Sequence, residues 1–359
     1  MLFFECFKNK AVFWLLALLL IGKCMISSQT YAWQDTAYNR LYLQYLSEIE
    51  GEYSAEKAEY IEKEYREQSR IVRNSEKMDA DFQAGTISLA EYSAYQQALS
   101  AAQIKVQVLL DIQQQSNHLE RLYTEKGTLG SYIFPVGFEK YAEQRVDWFL
   151  LIFACVLCCN TFIIEFGKTS SKGAVITLIQ STPKGRASLY RTKLLLISMA
   201  AAAVYWTFFI IDYVNLSSNW HLPGMGELLV SYSPFGKAPT TFTFGGYFAL
   251  MAFSGFLGAL LISFMCVSVS QMLKEPVFIY VVCATVLIVP HFAQSVGVKV
   301  CGYFDLTHLV NTNALFLMSN RLQWMGIFGW FGVFFISSIL LIGTLTLISA
   351  KQIQKGLRS

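Results

Sequence analysis

The chain has 359 residues, of which 54% are hydrophobic and 15% are charged, and its mean hydropathy is +0.40. Soluble domains carry about 25% charged residues, so the composition excludes an ordinary soluble enzyme and predicts an all-α polytopic membrane protein. The formal net charge is +3, but residues 30–146 hold 18 acidic and 12 basic side chains and form one hydrophilic insert.

Six apolar stretches have the length of about 20 residues that a membrane-spanning helix needs. The first is interpreted as a retained span and not a signal peptide, because no clear cleavage site follows it. We therefore predict six transmembrane helices with an extracytoplasmic helical hairpin domain between helices 1 and 2. The predicted spans are residues 11–27, 147–164, 194–214, 244–269, 276–293 and 324–349.

The distribution of lysine and arginine predicts the orientation, since short cytoplasmic loops are enriched in these residues. The loops on one side contain 12 basic residues, and the short loops on the other side contain three. Both termini are therefore expected in the cytoplasm of a multi-pass cell-membrane protein. The predicted divisions are 1–29 (N-terminus and first span), 30–146 (extracytoplasmic helical domain), 147–349 (spans 2–6) and 350–359 (basic cytoplasmic tail).

The hydrophilic insert is predicted to form two long helices folded into a hairpin. Apolar residues recur at three- and four-residue spacing from Leu41 to Val72 and again from Tyr92 to Leu122. Gly85 predicts a helix end between them, and Ser88 with Glu91 matches a capping box. A spacer or assembly role and a substrate-contacting surface both remain open for this hairpin.

The cytoplasmic loop of residues 165–193 carries the most informative pattern. Pro183 is expected to end a short helix there, because proline lacks a backbone N–H and clashes with the preceding turn. A short amphipathic helix flanked by basic residues fits docking to a partner protein, and it also fits a plain interfacial helix. The apolar residues on one side of this helix are Val175, Ile176, Leu178 and Ile179.

This loop resembles the loop of ABC-2-type ABC transporter permeases, and the six spans with a large first insert are similar to one branch of that family. In the family, the loop holds a coupling helix that fits into a cleft of a separate ATPase subunit. The resemblance implies that residues 165–193 dock such an ATPase. It rests on Glu165, Gly167, Leu178, Ser181-Thr182-Pro183, Gly185-Arg186, Leu189 and Lys193.

Motifs for chemistry within the chain itself are missing from the sequence. Gly167-Lys168-Thr169 matches the end of a phosphate-binding loop, but the glycine needed at position 162 is replaced by Phe162. No histidine has a partner histidine at metal-ligand spacing. We therefore predict a transporter subunit that is not an enzyme and binds no cofactor or metal directly.

Polar residues within the spans are candidates for a substrate path, and these candidates are Asn160, Gln271 and His291. Asp147 and Asp212 lie at span ends, where they are expected to reach water, so no paired charges are expected inside the spans. That expectation weighs against a secondary transporter, as does the lack of a visible inverted repeat. The loops 215–243 and 297–323 are candidate outer gates, and the second favours a short re-entrant or interfacial helix.

The leading hypothesis is the permease subunit of an ABC transporter, expected to be an ATP-driven exporter. The resemblance implies three partners: a cytoplasmic ABC ATPase, a second permease subunit (identical or related) and the lipid bilayer; no nucleic acid is expected. ATP would act only through the ATPase. The main alternative is a membrane-anchored signalling or assembly protein whose helical ectodomain binds a ligand or partner.

Overall fold

A computed structural model describes residues 10–142, 147–156, 183–236, 238–273, 276–298, 301, 305–311, 332, 336–340, 342–344 and 347. The chain divides into two compact units. The membrane unit comprises residues 1–32, 141–218 and 249–359, and the insert unit comprises residues 33–140 and 219–248. Residues 219–248, between the predicted third and fourth spans, thus pack as part of the insert unit.

Helices dominate both units, and the described elements follow one another along the chain with few strands. They are α1 (Lys10–Thr30), α2 (Ala37–Ile49), β1 (Gly51–Glu52), α3 (Ala55–Arg73), α4 (Ser75–Gln83), α5 (Leu89–Lys126), β2 (Ser131–Tyr132), α6 (Pro135–Ala142), α7 (148–156), α8 (Pro183–Asn219), 3-10 turns at Leu229–Ser231 and Ser233–Phe235, α9 (Phe244–Met272), α10 (Pro276–Ser295), a 3-10 turn at Leu306–Leu309, and helical residues 336–340 and 342–344.

Three helices in the described part of the chain are long and apolar enough to cross a membrane: Leu194–Asn219, Phe244–Ser270 and Val277–Ser295. They coincide with the predicted third, fourth and fifth spans, so the prediction of an α-helical membrane protein is confirmed to that extent. Helix α8 begins at Pro183, well before the predicted span. Proline suits the first position of a helix, because the N–H that it lacks would have no partner within the helix there.

Helix α9 lies at the centre of the membrane unit. Of the most apolar 18-residue stretch of α9, 61% is buried inside the protein, whereas the corresponding shares are 22% for α8 and 17% for α10. Helices α8 and α10 instead expose large apolar side chains such as Met199, Val277 and Phe292. Lipid is a favourable solvent for such side chains, and water is not. The described core around α9 includes Leu151, Ile197, Ile262, Cys266, Ile279, Cys283 and Leu309.

The first half of the insert, before Gly85, consists of three helices (α2, α3 and α4), so the prediction of one long helix there is wrong. The chain breaks after α2 because Gly51 has a φ of 95°, a left-handed backbone that other residues rarely adopt. Gly51 and Glu52 then pair with Tyr132 and Ser131 in a short antiparallel ladder. A second break at Asn74 separates α3 from α4. Apolar spacing alone does not report either break.

The second arm is a single helix, as predicted. Helix α5 has 38 residues, which corresponds to about 57 Å at 1.5 Å per residue. Both hydrogen bonds of the predicted capping box are present, because the Glu91 amide donates to the Ser88 hydroxyl and the Ser88 amide donates to the Glu91 carboxylate. The helix ends at Gly127, which has a φ of 63°.

An aromatic cluster forms part of the insert core. The Phe138 side chain on α6 is completely buried, and its ring meets the Phe244 ring edge-on, with centroids 5.0 Å apart. Such edge-to-face pairs add about 1 kcal/mol beyond the area they bury. Further rings around Phe138 belong to Tyr232, Phe235, Tyr247 and Phe248. The cluster joins residues before α7 to residues of the 219–248 segment.

We predict that Ser88→Ala loosens the start of α5. Loss of an N-cap hydroxyl costs about 1 kcal/mol, so the amides of residues 89–92 should exchange with deuterium several-fold faster in the full-length protein. The Ser88 hydrogen bonds lower the pKa of Glu91. These hydrogen bonds therefore stabilise the folded helix start at pH values above the ordinary glutamate pKa. That stabilisation is lost as the pH falls through the lowered pKa of Glu91.

Ser93→Ala is the matched control, because Ser93 is an exposed serine on the same helix and its hydroxyl donates only to the Ala90 carbonyl. Equal exchange rates at residues 89–92 in the two variants would show that the cap does not hold the helix start.

Candidate functional site

A cluster of three charged side chains lies inside the membrane unit. The Lys23 ammonium of α1 donates to Asp147 Oδ2 at 2.6 Å and to Asp212 Oδ2 at 2.5 Å. Asp147 precedes α7, and its other oxygen accepts the Leu150 amide at 3.1 Å as a helix cap. Asp212 belongs to α8. One ammonium therefore links three helices.

The three charged side chains are buried, which raises the energetic cost of leaving any one of them unpaired. The Lys23 side chain is 7% exposed, and the Asp147 and Asp212 side chains are 13% and 9% exposed. A lone lysine at the centre of a spanning helix costs about 3 kcal/mol, and two carboxylates offset that cost only in good geometry. One turn further along, the Asn215 side chain donates to the Ser27 hydroxyl at 3.0 Å and adds a second polar contact between α1 and α8.

Two expectations about these residues are wrong. Asp212 does not reach water at a span end, because α8 continues to Asn219 and α1 covers the carboxylate. The helices of the membrane unit also do contain paired charges. Lys23 carried a signal in the sequence, since a lysine within the apolar stretch 11–27 needs a buried partner or a route to water.

A second polar group belongs to the segment of residues 305–311, which contains the 3-10 turn. Asp305, Thr307 and Leu309 are fully buried. The segment approaches α9 closely, because a Cβ added at Gly258 would lie 1.9 Å from the Leu309 carbonyl oxygen, and one at Gly255 would lie 3.0 Å from the Val310 oxygen. The two glycines make this approach possible.

Asp305 organises the polar side chains of this segment. Its Oδ1 accepts the Thr307 amide at 2.9 Å and the Thr307 hydroxyl at 2.6 Å. Its Oδ2 accepts His291 Nδ1, on α10, at 2.9 Å and lies 3.7 Å from His308 Nε2. The His308 Nε2 is also 3.2 Å from Gln294 Oε1. A buried carboxylate thus meets two imidazoles from two different elements.

The residues predicted to matter are distributed unevenly over the structure. His291 belongs to the Asp305 group, and Gln271 lies in the last turn of α9. Pro183, Arg186 and Lys193 lie in the first three turns of α8. The remaining predicted positions are outside the described residues: Asn160, Glu165, Gly167, Val175, Ile176, Leu178 and Ile179.

Sequence reasoning missed Asp305, Thr307 and His308. They lie in a loop of mixed composition without a motif, and their proximity to His291 depends on the turn that brings residues 305–311 back against α10. No group of three or more His, Cys, Asp or Glu side chains in the described residues has the geometry to hold a metal ion.

No protein-family model, curated protein or solved structure matches the chain. The two polar groups of the membrane unit are therefore interpreted from their own geometry.

We predict that Lys23→Met lowers the thermal unfolding midpoint of the detergent-solubilised protein. Removing one partner of a buried charged pair costs about 3–5 kcal/mol, because both carboxylates lose their shared cation. Lys77→Met is the control, since Lys77 is exposed in the insert unit. The triple variant Lys23→Met/Asp147→Asn/Asp212→Asn should recover much of the loss. A Lys23→Met midpoint equal to that of Lys77→Met would contradict the stabilising role.

We also predict that Gly258→Ala displaces the 305–311 segment. The added methyl group overlaps the Leu309 carbonyl, and such overpacking costs about 1–3 kcal/mol. The midpoint should fall, and the amides of residues 307–311 should exchange faster. Gly343→Ala is the helical control, because a Cβ at Gly343 meets nothing within 4 Å. An alanine at position 258 that leaves both readouts unchanged would contradict the close contact.

Proposed function

We propose that the chain is the membrane-spanning permease subunit of an ABC-2-type ABC transporter, acting as an ATP-driven exporter. The observation that carries the proposal is the sequence of residues 165–193, with the pattern Glu165, Gly167, Leu178, Ser181-Thr182-Pro183, Arg186 and Lys193. A separate cytoplasmic ATPase would dock on this segment. Two permease subunits, identical or related, would work with two ATPase subunits.

The proposal includes six spans, cytoplasmic termini and an extracytoplasmic insert. Its support is the excess of basic residues in one set of loops, 12 against three. Three of the six spans have helices of sufficient length and apolarity in the structure.

Helix α8 supports a mechanical connection from the docking segment into the membrane. It is one helix of 37 residues that begins at Pro183, within the docking segment, and carries Asp212. The 29 steps from Pro183 to Asp212 correspond to about 44 Å at 1.5 Å per residue. Displacement of the docking segment by the ATPase would therefore move Asp212 and, through Lys23, α1 and the start of α7. This is rigid-body movement of a group of helices about an interface.

A second candidate is an ion-coupled secondary transporter. It is favoured by one observation, the buried Lys23 between Asp147 and Asp212, because ionisable groups inside membranes often lie on ion or proton pathways. The two candidates differ in their energy source. Only the permease requires an ATPase that binds residues 165–193.

We predict that an ATPase co-purifies with the wild-type protein from its native host and is lost from the Val175→Asp/Ile179→Asp variant. Two carboxylates in an apolar docking face lose burial and gain a desolvation cost, so ATP hydrolysis in the eluate should fall to the level of an empty pull-down.

The control is Leu110→Asp/Leu129→Asp, which places the same two charges on exposed apolar positions of the insert unit and should retain the ATPase. A well-folded wild-type protein without any ATPase would contradict the permease proposal. The secondary transporter and the ectodomain-receptor alternatives would then be tested next.

A further inference from the structure

We propose that one face of α5, in the insert unit, docks against the same face of a second copy of the chain. This face is a stripe of exposed residues that follow one another at alternating spacings of three and four positions. The stripe consists of Ser100, Gln103, Gln107, Leu110, Gln114 and Asn117. The proposal does not depend on ATPase docking, because the stripe lies far along the chain from residues 165–193.

The exposed residues of α5 lack charge over most of the helix. Between residues 93 and 117, eleven residues are exposed and none of them is charged. Helix α3, which packs against α5, has the opposite composition, since seven of its eight exposed residues are charged. Solvated surfaces normally mix charged side chains with polar ones, whereas the cores of protein interfaces are depleted of charge. The composition of this part of α5 is therefore that of an interface.

The spacing of the stripe suits a helix as the partner. Residues three and four positions apart are neighbours on one side of a helix. A repeat of 3.5 residues allows two helices to wind around each other with matching side chains in contact throughout. From Ser100 to Asn117 the stripe covers about 26 Å at 1.5 Å per residue. Leu110 lies near its middle and is 40% exposed, so a partner helix would bury an apolar side chain at the centre of the contact.

The chemistry of the stripe makes it complementary to itself. A glutamine or asparagine amide both donates and accepts hydrogen bonds, so an identical amide on a second helix can satisfy it. Twofold symmetry brings the same patch of two chains together. Residues 30–146 carry 18 acidic and 12 basic side chains, so two copies repel each other where their charged faces meet. The stripe lets two acidic units approach without opposing like charges.

Other classes of partner match the stripe less well. A helix that binds a lipid surface needs a broad apolar face beside basic residues, and Leu110 is the one large apolar side chain of the stripe. A nucleic acid or an acidic peptide needs clustered lysine or arginine, and the exposed residues between positions 93 and 117 include neither. An uncharged helix of the same spacing is the partner that the stripe fits, and α5 of a second copy is such a helix.

The test is photo-crosslinking of the full-length protein in membranes of its native host. Leu110→p-benzoylphenylalanine replaces one apolar side chain with another at the middle of the stripe, and irradiation joins the probe to the chain that lies against it. We expect a product of twice the chain mass of 40.6 kDa, with the probe attached to α5 of the second copy. The same probe at Leu129, another exposed leucine of the insert unit, is the control and should not give this product.

Charge on the stripe should separate the two copies. Gln103→Glu/Gln114→Glu gives carboxylates of nearly the same shape, and the altered positions face each other whether the two helices run parallel or antiparallel. Opposed like charges at an interface cost several kcal/mol, so the crosslinked product at position 110 should fall about tenfold or more. The matched variant Gln44→Glu/Gln97→Glu adds the same charge at exposed glutamines outside the stripe and should leave the yield unchanged.

A probe at position 110 that captures a different protein, or that gives no product from a chain present at wild-type amount, overturns the proposal. Equal yields from the two double variants would also overturn it. The position-110 probe in an otherwise unchanged chain decides the question if Gln103→Glu/Gln114→Glu does not fold. ATPase binding is assigned to residues 165–193, so either proposal can fail without the other.

Discussion

Lys23 places an ammonium between two carboxylates in a unit built from apolar helices, and this placement constrains how α1, α7 and α8 pack. Apolar contacts tolerate sliding, because lipid tails and leucine side chains are equally apolar and offer little preference for one register. Hydrogen bonds of 2.5 and 2.6 Å from one Nζ tolerate much less. Any register shift of α8 by a turn would separate Asp212 from Lys23 and leave buried charges behind. The ion cluster therefore specifies the relative positions of three helices.

The contact between α9 and the 305–311 segment has a different physical basis. The backbone carbonyls of Val310 and Leu309 approach α9 at Gly255 and Gly258. The contact therefore requires residues without a side chain at these two positions. Tyr205 of α8 donates to the Ala252 carbonyl of α9 at 2.8 Å and lies beside Gly255. Helix α8, which carries Asp212, thus contacts α9 through Tyr205, and α9 contacts the 305–311 segment through Gly255. Both polar groups lie in the membrane unit.

Much of the helical organisation could be predicted from the sequence, and most of the polar site could not. Hydropathy predicted the apolar helices, and local chemistry predicted the Ser88–Glu91 cap, because both signals lie within one stretch of sequence. The break at Gly51 depends on pairing with Tyr132, about 80 residues later. The Lys23–Asp212 contact spans 189 residues. Distant pairings of this kind leave no trace in local periodicity, although Lys23 within an apolar stretch was a warning.

The two polar groups differ in how far their side chains are exposed to water. The side chains of Lys23, Asp147 and Asp212 are at most 13% exposed, and their hydrogen bonds link α1, α7 and α8 in a fixed arrangement. The Asp305 group includes the His291 imidazole, whose side chain is 30% exposed. The link between α1, α7 and α8 is thus shielded from water, whereas the contact between α10 and the 305–311 segment is open to water at the His291 side chain.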